Sequence, residues 1–90
     1  MNEPFKFTDN QYNGLNKILR RTGCDIWFYI KEEPTRDCII DLEVNREITL
    51  KGALKDLYES ITLPLDAYGL TPEEIDEIKI LFYQYGYKLN

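Results

Sequence analysis

Histidine is absent from the 90-residue chain. It is the commonest general base and the commonest metal ligand near neutral pH, so Ser–His and Cys–His nucleophilic pairs are excluded. Two cysteines, Cys24 and Cys38, are too few for a closed structural zinc site without histidine. The five glycines, at 14, 23, 52, 69 and 86, are isolated, so no glycine-rich loop cradles a phosphate. No calcium-loop spacing occurs. The longest apolar run, residues 26–30, is far shorter than a membrane span. The start, Met1-Asn2-Glu3-Pro4, has neither a basic cluster nor an apolar segment behind it, unlike a secretory signal. Bases are also scarce, with 11 Lys and Arg against 16 Asp and Glu and a net charge of −5.

That charge is uneven. Residues 1–31 hold five bases and three acids, and residues 32–90 hold six bases and thirteen acids. The acidic body repels phosphate backbones, so direct nucleic-acid binding is not expected. At 43% hydrophobic and 13% aromatic, ninety residues suffice for one domain with its own core.

The densest apolar segments flank a turn signal. Residues 24–31 and 38–44 are rich in β-branched and aromatic types. Between them lies Glu32-Glu33-Pro34-Thr35-Arg36, where Pro34 fixes its own φ and keeps Glu33 out of the helical region. This predicts a β-hairpin. Placing Lys31 opposite Asp37 pairs Ile30 with Cys38, Phe28 with Ile40 and Ile26 with Leu42 on one apolar face. The other face then carries Tyr29 with Ile39, Trp27 with Asp41 and Asp25 with Glu43. A slip of one residue would exchange the faces of one strand. In this register Cys24 and Cys38 lie about 20 Å apart along the strands, beyond disulfide reach. Free thiols are expected, in a reducing, cytoplasmic setting.

The rest of the chain reads as helices. Residues 1–7 form an arm, pinned by Phe5 and Phe7. Thr8 with Gln11 matches a capping box, Tyr12, Leu15, Ile18 and Leu19 give one apolar stripe, and Gly23 suits a left-handed stop. Asn45 marks a turn into a short third strand at residues 46–49. Thr49 caps a second helix over residues 50–61, with Leu50, Leu54, Leu57, Tyr58 and Ile61 at helical spacing. A single turn is expected near residues 65–68. Thr71-Pro72-Glu73-Glu74 is the strongest helix start, with an N-cap threonine, proline at the first position and glutamate at the third. Ile75, Ile78, Phe82 and Tyr85 form that helix's core stripe. Ile80, Leu81 and Tyr83 broaden it, predicting cover on more than one side. The order α-β-β-(β)-α-α implies a small two-layer α+β domain, an antiparallel hairpin or three-stranded meander against three helices.

Two acidic clusters stand out. Glu73, Glu74, Asp76 and Glu77 are accounted for by the helix N-terminus they occupy. Glu32, Glu33, Asp37, Asp41, Glu43 and Glu47 have no such local reason and surround the hairpin. Trp27, Tyr29 and Ile39, rimmed by Asp25, Asp41 and Glu43, have the composition of a protein-binding patch. The expected function is therefore a non-enzymatic acidic protein-binding module whose partner is a protein with a basic surface, with no cofactor, metal or membrane involved. A homodimer through the same face, or a small-molecule binder in a cleft between hairpin and helices, is the alternative. In size and charge the chain resembles small acidic proteins of bacteriophages and mobile elements. The resemblance implies an inhibitor that occupies a host enzyme's nucleic-acid channel by presenting carboxylates in place of phosphates.

Overall fold

A computed structural model describes residues 5–29 and 37–89. Helix α1 (Asp9–Thr22) leads into strands β1 (Ile26–Tyr29), β2 (Cys38–Asp41) and β3 (Arg46–Ile48). Helix α2 (Leu50–Ser60), a 3-10 turn at Leu65–Tyr68 and helix α3 (Pro72–Gln84) follow. The strands form one antiparallel sheet in the order β1-β2-β3. This is the expected α+β architecture, and the third strand forms. The proline turn of the hairpin lies outside the described residues.

Local chemistry sets the helix ends. The Thr8 side chain accepts from Gln11 N–H while the Gln11 side chain accepts from Thr8 N–H. Thr71 and Glu74 repeat that box at α3, with Pro72 at the first turn. Thr49 caps α2 through Gly52 N–H. Gly23 ends α1 at φ 72°, a left-handed conformation that a Cβ disfavours.

The helices gather over one face of the sheet. Phe28, Ile39, Leu15, Ile18, Leu54, Leu57, Ile78 and Phe82 are fully buried in a single core. Helices α1 and α3 approach closely at Gly14, where the Ile78 side chain occupies the space a Cβ would need. Lys17 Nζ reaches Glu74 Oε1 at 2.7 Å across the same seam. Thr8 and Asn10 donate to Glu77, both at 2.5 Å. Two members of the second acidic cluster thus tie α3 to α1 besides serving their own helix. Ile80 and Tyr83 are exposed, so α3 is covered on one side only.

The hairpin register differs from the expectation by one residue. Ile26 pairs with Asp41, Trp27 with Ile40, Phe28 with Ile39 and Tyr29 with Cys38. On β1 the expected faces hold, with Ile26 and Phe28 inward and Trp27 and Tyr29 outward. On β2 they are exchanged, because Cys38-Ile39-Ile40 is apolar at every position and carries no alternation of its own. The tertiary reason lies at Asp37, which is buried; its expected partner Lys31 lies outside the described residues. Its carboxylate accepts from Phe7 N–H at 2.8 Å and meets Lys6 Nζ at 3.0 Å. Its own N–H donates to the Phe5 carbonyl at 2.9 Å. The Leu42 N–H donates to the Asp25 carbonyl, so Leu42, Ile40 and Cys38 turn their backbone groups to β1, while Asp37, Ile39 and Asp41 turn theirs to β3. The arm therefore meets the end of β2 on the side that β3 also pairs with. Phe7 packs edge-on against Phe28, centroids 5.6 Å apart, which places the arm's aromatic contact on the core side.

Candidate functional site

The sheet's outer face is built by the alternation of β1 and β2. Asp25, Trp27 and Tyr29 follow one another on β1 and its approach. Ile40 stands opposite Trp27, and Leu42 continues the same side of β2. Glu47 of β3 stands opposite Ile40. Trp27 is 55% exposed, and Tyr29 and Leu42 are each 52% exposed. Ile40 is half-buried, and Cys38, opposite Tyr29, is buried. Solvated indole, phenol and leucine side chains thus share one face of a sheet whose other face is the core.

Of the six residues expected there, four are exposed on the outer face or at its end. Trp27 and Tyr29 lie on the outer face, and Asp25 and Glu43 are exposed at its end. Ile39 is a correction: it is 0% exposed, packed in the core opposite Phe28. Asp41 is a second correction. It pairs with Ile26 and Arg46, on the helix side of the sheet, and its Oδ1 accepts from Glu43 N–H at 2.9 Å. Ile40 and Leu42 take the places assigned to Ile39 and Asp41. The signal for them was faint, since only the end of the apolar run at Asp41 hints which of three successive apolar residues turn outward.

At the Asp25 end the hairpin meets the last turns of α2. Asp25, Asp41 and Glu43 join Asp56 and Glu59 of α2 around a cavity of about 280 Å³. Cys24 Sγ lies 3.0 Å from Ser60 Oγ at its wall. The cavity lies between the hairpin and α2. Its volume falls just below the ~300–1,000 Å³ of small-molecule pockets, and its lining is acidic rather than apolar. Among the described residues, no group of three or more acids or cysteines could hold a metal ion. A separate groove of about 380 Å³ lies between the end of α2 and the C-terminal tail, lined by Tyr58, Leu63 and Leu89 with Lys88 beside them. Tyr58 and Tyr87 stack next to it at 5.1 Å.

The electrostatics separate structural acids from surface ones. Burial by itself would push Glu74 up. Hydrogen bonds from the Lys17 ammonium and the Thr71 N–H, together with the Lys17 charge, outweigh burial and hold the carboxyl below its usual range. Hydrogen bonds from Thr8 and Asn10 lower Glu77 in the same sense. Asp37 is likewise engaged within the fold. The acids at the Asp25 end are thus distinct from those that hold elements together.

Among the described residues, no helix is long and apolar enough to cross a membrane. No family model matches the chain, and no curated protein and no solved structure matches it either.

Proposed function

We propose that the chain is a non-enzymatic protein-binding module that meets its partner with the outer face of the sheet. The observation that carries this reading is Trp27, the only tryptophan, more than half exposed beside Tyr29 and Leu42 on the paired strands. Large aromatics on a preordered surface are the usual energetic anchors of interfaces, because they bury much area at little conformational cost. The charge at the face's edge, from Asp25 and Glu43, favours a partner with a basic surface. Such charge speeds encounter and fixes orientation more than it adds affinity. Nucleic-acid mimicry has less support, since Asp37, Glu74 and Glu77 are spent on internal contacts.

The test compares proteins retained from a cell extract by the wild type, by Trp27→Ala and by a control variant on a distant exposed site, Lys51→Ala. A partner held by wild type and control, released by salt and lost from Trp27→Ala is the expected result. Equal retention by all three removes the outer face from the interaction.

A further inference from the structure

The outer face has dimensions and edges that narrow what can sit on it. Three strands about 4.8 Å apart make a strip roughly 10 Å wide, close to the 10–12 Å diameter of a helix with its side chains. Four residues of strand give a length of about 13 Å, which some nine helical residues span at 1.5 Å per residue. Trp27 and Ile40 stand side by side across that strip, and Leu42 follows Ile40 along it.

An extended peptide is a poorer occupant. Strand addition needs an accessible row of backbone groups. On β1 the residues whose backbone groups point away from β2 are Ile26 and Phe28, which are only 4% and 2% exposed. The Ile26 N–H is already taken by the Cys24 carbonyl. At the other edge β3 is three residues long.

A second copy is a poorer occupant too. A two-fold contact sets the same patch against itself. It would bring Asp25 and Glu43 of one copy toward those of the other, and the described residues of this face include no base. Asp56 and Glu59, close by at the Asp25 end, add to that repulsion and attract cations instead.

Resting on the reading above, we infer that the occupant of this face is an amphipathic helix of a partner protein. Its apolar stripe lies on Trp27, Ile40 and Leu42, and its flanking Lys or Arg residues lie toward Asp25, Glu43 and the α2 acids. It turns a two-layer domain into three layers, helix–sheet–helix, by covering Trp27, Tyr29 and Leu42, which are exposed on that face.

Three synthetic peptides of about five turns, ~18 residues each, and all without tryptophan, test this. One carries a leucine stripe flanked by lysines, one the same stripe flanked by glutamates, and one the composition of the first in scrambled order. Trp27 emission reports contact with the face, anisotropy of a labelled peptide reports binding anywhere, and sizing reports self-association. The lysine-flanked stripe is expected to bind at least about tenfold tighter than either control, to shift Trp27 emission to the blue and to weaken with salt. Equal binding by the scrambled peptide, with Trp27 still shifted, overturns the helix while leaving the face a contact surface. Binding that leaves Trp27 unmoved overturns both. No binding by any peptide overturns the helix, as does a dimer that Trp27→Ala returns to monomer.

Discussion

Gly14 of α1 lies so close to Ile78 of α3 that a Cβ on the glycine would stand 2.8 Å from Ile78 Cγ1. In the sequence this glycine reads as a weak point, costing its helix up to ~1 kcal/mol relative to alanine. In the fold it is the place where two helices touch.

Replacing Gly14 with alanine therefore sets two effects against each other. Helix propensity gains up to ~1 kcal/mol. Against it stands overpacking, typically ~1–3 kcal/mol, and Ile78 is fully buried with no solvent to move into. The packing term wins, and Gly14→Ala melts several degrees lower than wild type. A melting temperature unchanged or raised would show that the seam has slack.

Asp37 is the polar anchor of the arm. Asp37→Ala removes the acceptor of the Phe7 N–H and one partner of Lys6. The expected loss is about 1.5–3 kcal/mol in a urea titration, as for hydrogen bonds to a charged group. Lys6 is partly solvated, whereas the Phe7 amide loses a close acceptor. Hydrogen exchange at Phe7 should accelerate more than exchange in α2. Uniform acceleration across the fold would mean that Asp37 supports the whole core and not the arm.

The two faces of β2 differ sharply in what truncation costs. Ile39→Ala opens a cavity opposite Phe28 and costs ~2–5 kcal/mol. Trp27→Ala changes stability by well under 1 kcal/mol, as surface substitutions do, because the indole is largely in water already. Comparable losses for the two variants in the same denaturant titration would place β2 in the register that pairs Phe28 with Ile40.

That contrast shows where the sequence was readable. Helix ends were legible because capping is local: Thr8 with Gln11 and Thr71 with Glu74 carry their chemistry within four residues. The strand β1 was legible because Ile26 to Tyr29 alternates between core and surface. The strand β2 was not, because three apolar residues in succession fit either parity, and the choice is made by Asp37 docking an arm thirty residues earlier in the chain. The same limit explains the site. Trp27 and Tyr29 were visible from their own strand, while Ile40 and Leu42 depended on a long-range contact that composition does not encode. Glu74 and Glu77 were assigned to their helix, and their second task, holding α1, appears only once the helices pack.

Both cysteines are free thiols. Cys24 is half-buried beside Ser60 and Thr22, and Cys38 is buried. A thiol reagent should label Cys24 slowly in the native protein and reach Cys38 only on unfolding, giving one reactive group without denaturant and two with it. A thiol must be reached by the reagent before it can react. Equal native rates for the two would show that Cys38 opens locally without global unfolding.

Acid should weaken the seam between α1 and α3. Glu74 and Glu77 are both held below the usual 4.5 in the folded protein. A carboxyl with a depressed folded value stabilises the fold above its unfolded value, and that stabilisation fades as pH drops through the folded one. Wild-type stability should therefore be level at neutral pH and begin to fall below about 4.5. Glu74→Gln lacks the charge that meets Lys17, so it is less stable than wild type at pH 7. Lys17 stays cationic throughout, so protonating Glu74 makes wild type resemble the variant. The gap between the two should shrink as the solution is acidified. Melting curves of both proteins between about pH 3 and pH 7 measure that gap directly. A gap that stays constant would mean that Glu74 stabilises the seam through shape and neutral hydrogen bonding, with no contribution from its charge.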